Sequence, residues 1–369
     1  MKIIHVAHAP EAYGIGTFLF SLTKIQKEKY GDHDVAIAFH TKNGKYGEFA
    51  AIGIPIYCFD RKSARNFGLF FDFYRIFKKY DIVNFHTHSP WAFFAALITK
   101  KKTVFTFHGA LGLKNNWIDL MIKLYYRIMI GRYCDRITFA SSSSFRRYIS
   151  AIGGKFHKEK MIIFPYGTLL DAVRPMRSKE EIRKELKLDK CFVVGTAAQI
   201  VKVKRLERLI EVFGFLATER NLRLVIAGNG DKAYENFLRN LATRLKVNKK
   251  VDFLGYREDI FEIINACDFF VLPSRNEAFG LALVEAMTLG IPAAVFKDGG
   301  GVVDIIGDSG FIVGDPNELA KVILNVKENG SLREKISHMG KERAKKFDIR
   351  FTAQKFHSIY SELISQKNG

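Results

Sequence analysis

Two carboxylates, Glu277 and Glu285, lie eight residues apart and could both bind a polar ligand. Residues 281–289 are apolar or small at every position except Glu285 and Thr288, which predicts a helix that is buried on nearly all sides. Glu285 would then be a lone charge in the interior, where a carboxylate must find a partner or take up a proton. The partner is either an Arg or Lys from a neighbouring element or the hydroxyl groups of a bound ligand.

The start of this predicted helix favours an anion. Phe279 and Gly280 precede it, and the free N–H groups and the dipole at a helix N-terminus attract negative charge. Gly280 also has no side chain that would keep a ligand away from the backbone. One ligand that carries both a phosphate and hydroxyl groups would satisfy the helix start and the buried carboxylate together.

The elements that must position these groups follow a regular order. Residues 267–272 form an apolar run that ends at Pro273 and predicts a buried strand, and Gly290 and Pro292 mark the end of the helix. Along the chain, predicted strands alternate with helices, which implies parallel sheets with helices on both faces. Ligands of such sheets bind at the carboxyl ends of the strands.

A family resemblance rests on these same residues. The pattern E-x7-E followed by A-M-x-x-G-x-P, at residues 277–292, resembles the donor-site signature of retaining glycosyltransferases with the two-domain GT-B fold, specifically family 4. Segments 250–255, 266–274 and 299–306 resemble the usual flanks of that signature. The likeness covers the whole chain, strongly in the second half and loosely in the first. It implies an α/β fold with two doubly wound, Rossmann-like domains that face each other across a cleft.

The resemblance also implies a domain organisation. Residues 1–170 would form an N-terminal, acceptor-binding domain, and residues 171–349 a C-terminal domain that binds a nucleotide sugar. The amphipathic segment 350–369 would pack back on the N-terminal domain. The boundary is expected in the charged segment 168–188.

Three residues are predicted by resemblance to be catalytic: His108, Glu277 and Lys204. The sequence Thr-Phe-His-Gly matches the family position where the imidazole, here of His108, lies near the anomeric carbon of the donor sugar. Lys204 would meet the donor diphosphate, and Glu277 would orient the sugar through its hydroxyl groups. His86 and His88 also follow a strand, and we expect them to be packing or capping residues.

The resemblance predicts a larger set of residues that bind the donor. They are Gly14, Gly16, Gln199, Lys204, Arg205, Gly255, Tyr256, Glu277, Ala278, Phe279, Gly280, Leu281 and Glu285. Gln199 stands where the family has an Arg, so either Arg205 or Lys202 would supply the missing charge. Glu285 would hold the ribose, and the base would lie near Gly255.

The resemblance predicts transfer of a hexose-type sugar from a nucleoside diphosphate to a glycan or lipid-linked acceptor. UDP is the favoured nucleotide of the donor, and GDP is the alternative. Such a reaction belongs to cell-envelope polysaccharide or lipopolysaccharide-type biosynthesis. The acceptor attacks on the face that the diphosphate leaves, and a diphosphate oxygen takes the proton. Cationic side chains can replace a metal ion in neutralising the charge of the leaving diphosphate, so neither a metal nor a cofactor is expected. A sugar-nucleotide epimerase or a phosphorylase of the same fold is the alternative.

The basic character of the chain points to anionic partners. The sequence has 58 Lys and Arg against 38 Asp and Glu, and residues 1–170 hold 25 and 11 of these. Such a surface attracts nucleic acid, anionic lipid or an anionic substrate. Aromatic residues are mixed with Lys and Arg at 66–79 and 117–132, which favours an anionic membrane surface. A basic nucleic-acid-binding protein is the alternative from charge alone, whereas the resemblance predicts no nucleic acid partner.

Location and redox state can also be predicted. No apolar run reaches the roughly 20 residues that span a bilayer, and residues 2–7 already predict a strand. We therefore expect a cytoplasmic protein, either free or peripheral on the inner face of the membrane. The cysteines, at positions 58, 134, 191 and 267, form no C-x-x-C, so the pattern indicates neither a disulfide framework nor a zinc site.

Overall fold

The computed structural model describes residues 1–10, 14–30, 34–41, 46–59, 66–109, 117–153 and 158–366, with side chains for all of these but 117–119. The chain divides into two compact units. The first comprises Met1–Thr168 and Asp348–Gly369, and the second comprises Leu169–Phe347.

The strands of the described residues are short, as expected for the middle layer of an α/β fold. They are β1 (Lys2–Ala7), β2 (Asp34–Phe39), β3 (Ile56–Cys58), β4 (Ile82–Phe85), β5 (Lys102–Phe107), β6 (Arg136–Phe139), β7 (Met161–Ile163), β8 (Phe192–Ala197), β9 (Leu222–Ala227), β10 (Val251–Gly255), β11 (Phe269–Leu272), β12 (Ala293–Phe296) and β13 (Phe311–Val313).

Helices separate most of these strands. They are α1 (Ile15–Lys29), α2 (Tyr46–Ala50), α3 (Gly68–Phe77), α4 (Pro90–Ile98), α5 (Trp117–Leu124), α6 (Gly131–Tyr133), α7 (Ser142–Ile152), α8 (Lys179–Glu185), α9 (Glu207–Phe215), α10 (Lys232–Arg244), α11 (Ile260–Asn265), α12 (Leu281–Thr288), α13 (Gly301–Ile306), α14 (Pro316–Glu328), α15 (Gly330–Ala344) and α16 (Ile349–Ser365).

Each unit has one parallel sheet, as the alternation of strands and helices predicts. In the first unit the strand order is β3-β2-β1-β4-β5-β6-β7, and in the second it is β10-β9-β8-β11-β12-β13. The neighbouring strands pair in parallel throughout both sheets. Both orders are doubly wound, because the chain builds outward from a central strand first to one side and then to the other. The predicted fold class, two Rossmann-like α/β domains, is confirmed.

Burial of the strands explains why they read as continuous apolar runs. A strand with helices on both faces of its sheet has no solvent side, so its side chains do not alternate between apolar and polar. Residues 270–272 of β11 and all of β12 are almost completely buried. The hydrophobic core of the second unit contains apolar side chains from these strands and from α9, α10 and α14.

The last helix belongs to the first unit. The Asn84 side chain, at the end of β4, donates from Nδ2 to Tyr360 Oη of α16 over 2.7 Å. Phe356 packs edge-on against Phe164, with 5.3 Å between ring centroids. Residues 367–369 of the segment predicted to pack there lie outside the described residues.

The aromatic and basic segment 117–132 is not one regular α-helix. A π-helical stretch, Tyr125–Ile130, separates α5 from α6. The wider turn lets two consecutive rings point inward, since Tyr125 lies 4.4 Å from His88 and Tyr126 lies 5.6 Å from Phe105 between ring centroids. In the described part of the chain, no helix has the length and apolar character that crossing a membrane requires.

Candidate functional site

The second sheet brings the predicted catalytic pair to one edge. The strand order changes direction between β8 and β11, and ligands of open parallel sheets bind outside the carboxyl ends of such strands. Lys204 follows β8, Glu277 follows β11, and Lys204 Nζ lies 2.6 Å from Glu277 Oε2. The two side chains are 22% and 20% exposed, so a ligand can reach both. Two predicted catalytic residues therefore meet as an ion pair at the expected edge.

Backbone pairing fixes Glu277 in place. Its N–H donates to the Gly299 carbonyl over 2.7 Å, and its own carbonyl accepts from the Gly301 N–H over 2.8 Å. Gly300 lies between these contacts with a φ of +81°, and a Cβ there would stand 2.6 Å from the Glu277 carbonyl oxygen. The close approach explains why a run of glycines follows β12.

The start of α12 lies beside this pair. Gly280 caps the helix in a left-handed conformation, with a φ of +85°. A Cβ at Gly280 would meet Val302 Cγ1 at 2.5 Å and would stand 3.6 Å from Glu277 Cγ. Phe279 and Ala278 are buried before the turn. The predicted anion site at the helix start and the Lys204–Glu277 pair are thus parts of one locus.

Glu285, one turn further along α12, is the lone charge that the sequence predicts. Among the described residues, no side chain or backbone group pairs with its carboxylate, so the alternative of an internal Arg or Lys partner is not found there. The side chain keeps part of its surface in solvent, but the surrounding protein raises the pKa of Glu285 to about 7. The helix is less enclosed than predicted, because Leu281, Ala282 and Thr288 are also only half-buried.

The cations near Gln199 separate into paired and unpaired groups. Arg205 has a left-handed backbone, and its Nε lies 2.6 Å from Glu207 Oε1. Lys202 is exposed, and the described residues offer it no ion-pair or hydrogen-bond partner. Of the two residues predicted to replace the charge that Gln199 lacks, Arg205 is therefore ion-paired and Lys202 has no partner among the described residues.

The predicted base-binding residues follow β10. Gly255 has a φ of +69°, and its carbonyl accepts from the Gly228 N–H over 2.7 Å, which joins the ends of β9 and β10. The Tyr256 side chain is 40% exposed. Next to it, Arg257 donates to Asp259 and Glu185, an ion-pair network that the sequence reading did not predict.

A clamp formed by Arg208 and Asp298 is a further feature that the sequence did not predict. Arg208 of α9 donates twice to the Asp298 carboxylate, over 2.8 and 2.7 Å, and its guanidinium lies 4.4 Å from the Phe296 ring centroid. The Asp298 carbonyl accepts from Asn276 N–H over 2.9 Å, so the clamp is one residue from Glu277. An acidic residue directly before the glycine run was the only signal in the sequence.

The third predicted catalytic residue, His108, lies in the first unit. It is the half-buried end of a chain that starts from buried side chains, in which His5 Nδ1 lies 2.9 Å from His86 Nε2 and His86 Nδ1 lies 2.8 Å from His108 Nε2. The Phe18 ring of α1 packs 5.1 Å from His108. Burial lowers the pKa of His108 to about 3, so the imidazole is neutral. His86, which the sequence predicts as a packing or capping residue, is buried and hydrogen-bonded to both neighbours in this chain.

The first predicted glycine loop lies close to His108. Gly14 caps α1 with a φ of +45°, and its carbonyl accepts from the N–H of Phe18, the residue whose ring contacts His108. Gly16 is buried in the first turn of α1. Phe18 thus links the Gly14 end of α1 to the third predicted catalytic residue, within the first unit.

Within the described ranges, no group of three or more His, Cys, Asp or Glu is placed to hold a metal ion. The sequence has one D-x-D triplet, at residues 32–34. Its first two residues lie outside the described residues, and Asp34 starts β2 with Oδ2 3.5 Å from Lys2 Nζ. That position is the amino end of the sheet, opposite the edge that carries His108.

Comparisons with known proteins match both units. Residues 13–171 match glycosyltransferase family 4, and residues 178–343 match glycosyl transferases group 1. D-inositol 3-phosphate glycosyltransferase of Corynebacterium efficiens is 32% identical over 197 residues, which are 50% of this chain and 46% of that protein. The capsular polysaccharide biosynthesis glycosyltransferase CapM of Staphylococcus aureus is 27% identical, over 67% of each chain. The chain thus spans about half the length of the first relative and two thirds of the second.

Solved structures share the fold over nearly the whole chain. Anabaena Alr3699/HepE, in complex with UDP and glucose, has a TM-score of 0.86 at 22% identity, covering 98% of this chain and 100% of that one. WaaG, a glycosyltransferase involved in lipopolysaccharide biosynthesis, has a TM-score of 0.74 at 17% identity, covering 97% and 99%. At these identities the structures establish the fold alone. With the two family matches, they show that the chain belongs to the family 4 glycosyltransferases of GT-B fold.

Proposed function

We propose that the protein is a retaining glycosyltransferase that moves a hexose-type sugar from a nucleoside diphosphate to a hydroxyl of a glycan or lipid-linked acceptor. The observation that carries this proposal is the Lys204–Glu277 pair beside the start of α12, with the unpaired Glu285 on the same helix. Cations, helix N–H groups and carboxylates in this arrangement match three of the four parts of a sugar nucleotide: diphosphate, sugar and ribose.

The donor would satisfy each group in turn. Lys204 and the N–H groups at the start of α12 bind the diphosphate. Lys202 adds a further cation, which has no partner among the described residues. Sugar hydroxyls donate to Glu277, which the diphosphate frees from Lys204. Ribose hydroxyls donate to Glu285. The complex of the Anabaena structure with UDP and glucose supports UDP as the nucleotide.

The main requirement of the reaction is to stabilise the negative charge on the departing diphosphate. Fixed cations and helix N–H groups can stabilise it without a metal ion, because they are held in place before the reaction begins. Retention follows if the acceptor attacks on the face that the diphosphate leaves, and a diphosphate oxygen then takes the acceptor proton. No carboxylate is needed as a general base. The relatives in capsular polysaccharide and lipopolysaccharide biosynthesis support a glycan or lipid-linked acceptor.

A panel of nucleotide sugars tests the donor. Thermal unfolding is recorded with UDP, GDP and ADP sugars for the wild type, Lys204→Ala and the control Lys249→Ala. Lys249 is exposed before β10, at the amino end of the same sheet. One nucleotide sugar should raise the midpoint of the wild type and of Lys249→Ala but not of Lys204→Ala. Equal shifts in all three proteins would contradict the donor site.

Product analysis separates transfer from the alternatives. Proton NMR of the mixture with acceptor present should show a new glycosidic anomeric signal of the same configuration as the donor. An epimerase would change the donor without acceptor, and a phosphorylase would need inorganic phosphate. A nucleic-acid-binding protein would bind oligonucleotides with a steep dependence on salt and would be indifferent to Glu285→Ala.

We also propose that an anionic membrane surface is a partner of the first unit. At α3, the Phe67 and Phe71 side chains are 53% and 51% exposed, and Arg75 and Lys79 are exposed one and two turns further along. Exposed aromatic rings next to cations fit the headgroup layer of an anionic bilayer. Flotation with phosphatidylglycerol vesicles should carry the wild type and Phe237→Ser, a control in α10, but not Phe71→Ser; equal flotation of all three would exclude this surface.

A further inference from the structure

We propose that Gln26, His5 and His86 are positioning residues that hold His108 in one tautomer, with a proton on Nε2 and a free lone pair on Nδ1. His108 then accepts a hydrogen bond from a hydroxyl group of the sugar substrate. The role of the lone pair rests on the proposed function, whereas the tautomer itself does not.

The geometry is a continuous line of hydrogen bonds. Gln26 Oε1 of α1 lies 2.8 Å from His5 Nε2 on β1. His5 Nδ1 lies 2.9 Å from His86 Nε2, and His86 Nδ1 lies 2.8 Å from His108 Nε2. Each imidazole therefore uses one nitrogen toward each neighbour, and only His108 has a nitrogen left over. No group among the described residues pairs with His108 Nδ1.

The direction of every proton follows from the Gln26 end. The Gln26 amide is oriented with Oε1 toward His5, and an amide oxygen can only accept, so in this orientation His5 Nε2 carries a proton and His5 Nδ1 is an acceptor. His86 Nε2 must then donate to His5, which leaves His86 Nδ1 as an acceptor for the N–H of His108 Nε2. A neutral imidazole has one proton, so His108 Nδ1 is left as a lone pair.

Burial keeps the chain neutral. Desolvation lowers the pKa of His5 to about 4 and the pKa of His108 to about 3, and it lowers the pKa of His86 well below the usual range. A second proton on any ring would break the order, because an imidazolium has no acceptor nitrogen. Aromatic rings of Phe18 and Tyr166 pack against His108 at 5.1 and 5.5 Å.

An amide suits the end of such a chain better than a carboxylate. A carboxylate at position 26 would also accept from His5, but its negative charge would favour the protonated imidazole. Gln26 orders the protons without adding charge. The lone pair of His108 can then accept from a hydroxyl of the sugar substrate and increase electron density on that oxygen.

The tautomer can be measured without any substrate. In protein labelled with ¹⁵N-histidine, long-range ¹H–¹⁵N spectra distinguish a protonated from an unprotonated ring nitrogen, and His108→Gln assigns the signals. At pH 7 the wild type should show His108 protonated at Nε2 alone. A proton on Nδ1, or on both nitrogens, would overturn the proposal, whatever the protein does with nucleotide sugars.

The positioning role is tested with Gln26→Met, which keeps the length of the side chain and removes the amide oxygen. His88→Gln is the matched control, since His88 follows the same strand but lies outside the chain. We expect Gln26→Met to place a proton on His108 Nδ1 in part of the molecules and to lower kcat about tenfold, with an unchanged KM for the donor. His88→Gln should keep the wild-type tautomer and kcat.

The two measurements separate two kinds of failure. If His108 has the expected tautomer but no nucleotide sugar is turned over, the proposed function fails and the positioning of His108 stands. If transfer proceeds and Gln26→Met changes neither the spectrum nor kcat, Gln26 does not position His108 and the inference is wrong.

Discussion

Glu285→Gln tests the unpaired carboxylate of α12, because glutamine keeps the shape of the side chain and cannot ionise. In the unliganded protein the pKa of Glu285 is raised from 4.5 to about 7 by desolvation. Each pH unit is worth about 1.4 kcal/mol, so ionising Glu285 in the folded chain costs roughly 3 kcal/mol more than in the unfolded one. The penalty is absent below pH 4.5, grows as the pH rises, and is complete above pH 7.

The assay follows the carboxyl group directly. In protein labelled at the glutamate carboxyl carbon, one ¹³C signal should titrate near pH 7, and that signal should be missing from Glu285→Gln. In urea unfolding of the second unit, Glu285→Gln should gain about 3 kcal/mol over the wild type at pH 8 and nothing at pH 4.5.

Donor binding should reverse the shift. Ribose hydroxyls that donate to Glu285 favour its charged form, so the bound donor lowers the pKa of this group. Donor affinity then rises with pH between the bound and the free pKa, tenfold for each unit of difference, and is constant above pH 7. The reasoning is refuted if every glutamate titrates below pH 5.5, or if the donor leaves the titration near pH 7 unchanged.

Other changes have simpler expectations. Lys204→Ala and Glu277→Ala should each slow transfer at least tenfold, or about 1.4 kcal/mol in the barrier, in single-turnover kinetics. Arg208→Gln should lower kcat/KM several-fold while the second unit keeps its thermal midpoint within a few degrees, because the clamp holds a loop and not the core. Gly280→Ala should destabilise that unit by about 2–4 kcal/mol in urea, from a positive φ and a clash. Gly255→Ala, with a positive φ but open space, should cost only about 1–2 kcal/mol.

The fold could be predicted from the sequence because strand and helix signals agree locally. The strand predicted at residues 2–7 has the bounds that the structure shows, and the strand predicted at 267–272 begins two residues later, at Phe269. The helix predicted at 281–289 ends one residue earlier, at Thr288. The π-helix at Tyr125–Ile130 had no signal, because it depends on rings from other elements that draw two adjacent tyrosines inward.

The site was predictable only where a motif carries its chemistry within a few residues. Glu277 and Glu285 could be found from spacing, and their placement at the sheet edge follows from strand order. Arg208 pairs with Asp298, 90 positions away, and His5 pairs with His86, 81 positions away. No local sequence pattern predicts either contact. Contacts of this range depend on the register of the strands, which one sequence does not specify.

The return of α16 to the first unit affects how the chain is made. During synthesis the ribosome releases residues 1–168 and then the whole of Leu169–Phe347 before α16 emerges. Until then Asn84 lacks the hydroxyl of Tyr360, and the site for Phe356 is uncovered. The second unit is continuous in the chain and can finish folding first, so the half that is translated earlier is completed last.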